Sequence, residues 1–243
     1  MIWLIAQRDL LAVFRDGSAW FLLAVAQVPL AWIFLGTLDP FLEPTTSAAG
    51  LDLALTRQVF GAATVLLLVV TPLLAGRALG SELQAGLEAL HGTAPLRLSE
   101  WLLGKFLATA ILNLPFCLLP LALCLSLYGT APLDVGVLLA ATLGLWLASL
   151  AFAAVGLFAA SLSARPATAA PLAYALLLLL SVLARGEELA AAAVGWLSWL
   201  SWQQHLFWPF VGVVRSSDVL YFVLLSALFL ALAHRQLDNR RYR

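Results

Sequence analysis

Residues 135–162 read VGVLLAATLGLWLASLAFAAVGLFAASL, with no charged residue and only four hydroxyl, tryptophan or imidazole-type side chains able to ask anything of water. A helix of that length rises about 42 Å at about 1.5 Å per residue. The hydrocarbon core of a bilayer is about 30 Å thick, so the segment is long enough to cross it with room for tilt. Similar apolar runs lie on either side, and the chain is 63% apolar and 11% charged. Soluble domains hold roughly 45–50% and about 25%. Most of this surface therefore has lipid as its natural solvent, and lipid admits only structures that satisfy their own backbone hydrogen bonds. The expectation is an all-α polytopic membrane protein, a single transmembrane domain over residues 1–243.

Working outward, six spans are predicted at about 19–38, 59–79, 101–128, 135–162, 167–184 and 217–234. Ahead of the first, MIWLIAQRDLLAVFRDG sets Arg8 and Arg15 one heptad apart among Trp3, Leu10, Val13 and Phe14. That pattern suits a helix lying in the headgroup plane over residues 1–18. It does not fit a secretion signal, whose basic residues precede the apolar stretch.

Charge placement tests this topology. With both termini cytoplasmic, ten of the thirteen basic residues face the cytoplasm, leaving Arg57, Arg185 and Arg215 outside. The acidic residues divide nearly evenly, so the asymmetry lies in Lys and Arg, as the positive-inside rule requires. The formal net charge of zero provides no global field for nucleic acid.

The densest cluster of charge and turn residues is GRALGSELQAGLEALHGTAPLRLSEWLLGK, residues 76–105, between the second and third spans. Ser81 followed by Gln84 fits a capping box opening a short helix, and Pro95 bars its continuation. A helix over 81–92 would carry Leu83, Leu87 and Leu90 on one face and Gln84, Glu88 and His91 on a neighbouring one. Two readings stay open: a connector on lipid headgroups, or a docking helix for a cytoplasmic partner. Glu82 and Glu88 suit an anionic leaflet poorly and favour the protein partner.

Other polar residues divide similarly. Gln27 precedes Pro29 and Asn113 precedes Pro115 at membrane depth, which fits either a substrate route or interhelical hydrogen bonds beside helix kinks. His205 sits among Trp196, Trp199, Trp202, Phe207 and Trp208, first read as an interfacial aromatic belt. Gly156, Ala160 and Ala164 place small residues on one helix face. Cys117 and Cys124, in an apolar run, read as buried small hydrophobes. The three histidines are too scattered for a zinc motif, no catalytic set is evident, and no Gly-x-x-x-x-Gly-Lys-Ser/Thr loop is present to cradle nucleotide phosphates.

The pattern Glu82-x-x-x-Gly86-x-Glu88-x-Leu90, then Pro95, then Gly104-Lys105-Phe106, resembles the cytoplasmic loop of type-2 ATP-binding-cassette export permeases. His205, Gly212 and Asp218-Val219-Leu220-Tyr221-Phe222, with the basic tail LDNRRYR, are similar to the branch holding the gliding-motility and nitrous-oxide-reductase-maturation permeases. Ser81 and Leu87 stand where that branch usually has acidic and threonine residues, and Arg215 and Ser217 replace an acidic and a basic residue.

The resemblance implies a six-helix permease subunit of a bacterial inner membrane, working as a homodimer or heterodimer and driven by two copies of a separate ATPase that binds the ATP and magnesium. No cofactor belongs to this chain. By the same resemblance, residues 81–92 form the coupling helix, with Glu82, Gln84, Gly86, Glu88, Leu90, His91 and Pro95 serving the ATPase contact. Arg8 and Arg15 belong to an elbow helix, and 186–214 form short helices dipping into the outer leaflet. Gln27, Asn113, His205 and Asp218 are candidates for a substrate route or an extracytoplasmic partner. The alternative is a non-transporting membrane scaffold for such a partner.

Overall fold

The computed structural model describes residues 1–15, 17–41, 50–84, 97–131, 133–163, 166–182 and 199–241. Among these, the regular structure is helical. In chain order the elements are α1 (Ile2–Arg15), α2 (Ser18–Leu38), α3 (Leu51–Leu55), α4 (Gly61–Gln84), α5 (Leu98–Leu125), α6 (Val135–Leu162), α7 (Pro166–Val182), α8 (Trp202–Phe210) and α9 (Ser216–Arg241). A π-helical turn over Thr56–Phe60 joins α3 to α4 without a break. The resulting helix, Leu51–Gln84, extends 34 residues, about 51 Å. It begins eight residues before the predicted second span and ends five residues beyond it.

Among the described residues, five helices are long and apolar enough to cross a membrane: Trp20–Phe41, Leu51–Gln84, Leu98–Leu125, Val135–Leu162 and Ser216–Arg240. The remaining predicted span corresponds to α7, only 17 residues, about 26 Å. Packing argues that α7 nevertheless crosses. One apolar cluster joins Ile5 of α1, Leu79 and Leu83 of α4, Leu98 of α5, Ala160 of α6, Ala169 of α7 and Leu237 of α9. The first and last helices thus meet at one end of the bundle, here termed the α1 end. A chain that starts and finishes at the same end passes through an even number of times, so among the described residues α7 makes the sixth traverse of the bundle.

α6 is the axis of the bundle, packing on α4, α5, α7, α8 and α9. Its sequence explains why. Ala148, Ala151, Ala153, Ala154, Gly156, Ala159 and Ala160 are buried, and small side chains let neighbouring backbones come close. A Cβ on Gly156 would stand 2.9 Å from Pro72 Cα and from Ala75 Cβ of α4. The small-residue face therefore serves packing within this chain. Asp134 caps the helix by accepting from Gly136 N at 2.8 Å. α2 is peripheral, with only 22% of its apolar window buried against 56% for Leu51–Gln84. Trp20, Phe21, Val28 and Trp32 remain exposed on it, a surface stable only against lipid or another chain.

At the opposite end, α8 is pressed into the bundle. Trp202 packs edge-on to Phe152 at 5.2 Å and donates its indole N–H to Leu177 O at 3.2 Å. Within the 186–214 stretch the structure holds a short helix over Trp202–Phe210, and residues 186–198 lie outside the described residues.

Candidate functional site

α1 turns into α2 at Gly17, whose φ of 69° is the left-handed conformation that glycine adopts without a Cβ clash. The turn lays α1 across α5. A Cβ on Gly104 of α5 would lie 2.9 Å from Ile5 Cβ and 3.2 Å from Ile2 O, so glycine is what lets the two backbones touch. The next residue, Lys105, is then carried beneath α1 with 2% of its side chain exposed.

Burying an ammonium is costly unless it is paired, and here it is paired twice. Lys105 Nζ lies 2.6 Å from Asp9 Oδ2 of α1 and 2.7 Å from Glu82 Oε1 of α4. The approach to Asp9 Oδ2 is ionic and lies off the hydrogen-bond direction. Arg8 closes the ring, donating from Nη2 to Asp9 Oδ1 at 2.9 Å and to Glu82 Oε1 at 2.5 Å. Trp101 Nε1 donates to Glu82 Oε2 at 2.9 Å. Two cations and two carboxylates thus form a neutral cluster tying α1, α4 and α5 together. Burial works against the Arg8 charge, but its hydrogen bond to and attraction from Asp9, and those of Glu82, outweigh it and hold the guanidinium pKa above its ordinary value.

This geometry changes the reading of the 76–105 stretch. Ser81 does not open a helix: α4 runs through it to Gln84, and its Oγ donates back to Arg77 O at 2.7 Å. A serine whose own N–H and C=O continue a helix uses its hydroxyl on the previous turn instead of on an N-cap. Glu82 turns inward to Lys105 and Arg8, whereas Gln84 is exposed. Gly86, Glu88, Leu90, His91 and Pro95 lie outside the described residues. Arg15 is exposed at the end of α1.

Sequence reading used Lys105 as a counted charge and as part of the Gly104-Lys105-Phe106 pattern, counted Asp9 among the acids, and gave neither residue nor Trp101 a partner. The available signal was a lysine inside the apolar run WLLGKFLATA, since a cation there must find an anion nearby.

The other candidates separate cleanly. Asn113 is fully enclosed and accepts from Thr71 Oγ1 at 3.3 Å, an interhelical bond beside Pro115. Gln27 is half-buried, with its Oε1 lacking a partner among the described residues. His205 and Asp218 come together at the end opposite α1: Nδ1 and Oδ1 are 2.7 Å apart, and Nε2 lies 2.9 Å from Trp199 O. The imidazole stacks on Tyr221 at 3.9 Å, while Tyr221 donates its hydroxyl to Leu200 O at 2.6 Å. The pair pins α8 to the start of α9. His205 is therefore more than a member of an aromatic belt. Among the described residues no group of three or more His, Cys, Asp or Glu is placed to hold a metal.

A bundle traversed six times, entered by a helix folded across its end and closed by a short helix at the other, defines a polytopic membrane subunit. The chain belongs to the ABC-2 type transporter family, whose pattern matches residues 1–217. It is accordingly a multi-pass permease component of an ABC transporter, a family that generally works with an ABC ATPase and dimerises. The match includes the charge cluster and His205 and stops one residue before Asp218. No curated relative matches the chain.

Proposed function

We propose that this permease converts ATP hydrolysis by two copies of a separate ATPase subunit into movement of the helix bundle, for export or for mechanical signalling to an extracytoplasmic partner. The observation that carries this reading is the Arg8–Asp9–Glu82–Lys105 cluster. It binds α1 to the end of α4 and the start of α5, the two helices that flank residues 85–96. A push on that stretch would therefore reach α1, α4 and α5 as one body instead of dissipating in a loose terminus. With Glu82 held internally, ATPase contact falls to Gln84 and to Gly86, Glu88, Leu90, His91 and Pro95.

The family match and the common end shared by α1 and α9 support a second permease copy or paralogue and a bacterial inner-membrane setting with both termini cytoplasmic. The ten-to-three asymmetry of basic residues supports the same orientation. ATP and magnesium would belong to the ATPase. The pairing of His205 with Asp218 supports the gliding-motility and nitrous-oxide-reductase-maturation branch, because it joins two of the features that suggested it into one structural element.

The test is co-expression with ATPases from the same locus, purification through a tag on this chain, and hydrolysis assays in nanodiscs. A stable complex is expected, with hydrolysis raised by the wild-type permease and not by Glu88→Lys at unchanged thermal stability. Normal stimulation by Glu88→Lys would refute the docking assignment, and a chain that purifies with no ATPase would favour the scaffold.

A further inference from the structure

Beside the charge cluster, between α1, α4 and α5, lies a cavity of about 570 Å³. This falls within the roughly 300–1,000 Å³ typical of small-ligand sites. Its wall is graded. Arg8, Asp9, Glu82, Lys105 and Arg77 line one part, and Leu74 and Leu112 line another. α4 and α5 run in opposite directions, so Leu74, seven residues before Ser81, and Leu112, seven after Lys105, both lie about 10 Å farther from the α1 end. The cavity therefore passes from a charged mouth to an apolar floor along the bundle.

The charge does not cancel. Arg8 and Lys105 are matched by Asp9 and Glu82, which leaves Arg77, exposed and without a partner among the described residues. Arg8 is 54% exposed, and its contacts with Asp9 and Glu82 use Nε and Nη2, leaving the Nη1 hydrogens available. Guanidinium groups are matched to phosphate oxygens by their planar fork of donors. A soluble anion would satisfy Arg77 but leave the floor around Leu74 and Leu112 facing nothing apolar.

We infer that this cavity is a binding site for an anionic phospholipid, with the phosphodiester on Arg77 and the free edge of Arg8 and the first methylenes of a chain against Leu74 and Leu112. Among the described residues, the amine of a zwitterionic headgroup finds no free carboxylate there, since Asp9 and Glu82 are engaged with Arg8 and Lys105. The inference does not depend on how the ATPase docks.

Native mass spectrometry of the delipidated full chain, titrated with phosphatidylglycerol or with phosphatidylcholine of the same acyl chains, tests it. Phosphatidylglycerol should be retained at least ten-fold better, and Arg77→Gln should lower that retention at least ten-fold at unchanged thermal stability. Leu74→Trp, which fills the floor, should do the same with the arginine intact. Glycerophosphate, which carries the headgroup chemistry without chains, should not displace the bound lipid. Equal retention of the two lipids, or unaltered retention by Arg77→Gln, would overturn the site. Displacement by glycerophosphate would overturn the lipid assignment in favour of a soluble anion.

Discussion

Replacing Lys105 by Met removes the cation that touches both Asp9 Oδ2 and Glu82 Oε1 while keeping the volume and apolar stem of the side chain. Breaking a buried ion pair from one side costs about 3–5 kcal/mol, because the partner charge is stranded. Two features pull the expected loss toward the lower limit. Arg8 still faces both carboxylates, and both acids retain 13% exposure, so water shares the compensation. The expected cost is about 3 kcal/mol, and at about 2–4 °C per kcal/mol for a chain of this size the melting temperature should fall by about 6–12 °C. Cys117 and Cys124 are buried in the spans, so a thiol-reactive fluorophore reports unfolding without added probes. The companion variant Asp9→Asn, Glu82→Gln, Lys105→Met replaces all three buried charges by neutral groups and should recover most of the loss, the pattern a coupled cluster requires. If Lys105→Met melts within about 2 °C of wild type, or if the triple variant is no better than the single one, the cluster does not hold α1 to the bundle.

Other substitutions probe the same contacts. Gly104→Val should free α1 from α5, since its Cβ would stand 2.9 Å from Ile5 Cβ; limited proteolysis should then cleave near residue 17 well before the wild type is cut. Gly156→Val meets Pro72 Cα at 2.9 Å, and backbone cannot step aside as a side chain can, so a loss at the upper end of about 1–3 kcal/mol or failure to fold is expected in the thiol assay. His205→Ala leaves both Asp218 and Trp199 O without the ring's hydrogen bonds and should cost more than Asp218→Asn, which keeps an oxygen opposite Nδ1; the reverse order would show that the pair is not what pins α8 to α9.

Hydropathy made the spans readable because a bilayer imposes a local rule: about twenty apolar residues in succession must be helical whatever surrounds them. Residues 135–162 appear as the helix Val135–Leu162, and 19–38 as Ser18–Leu38. Ends were harder. α9 continues past the predicted limit at 234 to Arg241 because Leu237 finds an apolar neighbourhood and Arg240 donates to Leu162 O at 2.9 Å, partners that hydropathy does not see. Ser81 misled for the same kind of reason: a capping box is a local pattern, but α4 was already committed by the packing of Leu79 and Leu83.

The sequence alone thus determined an all-helical polytopic membrane chain and the balance of its basic residues, since both follow from the cost of placing each segment in lipid or water. Only the tertiary structure decided that Glu82 answers Lys105 and Arg8, that Asp218 answers His205, and that Gly104 exists for Ile5. Electrostatic and steric partners act over a few ångströms in space, and those residues are separated in the chain by up to about a hundred positions, a distance that only the packed bundle removes.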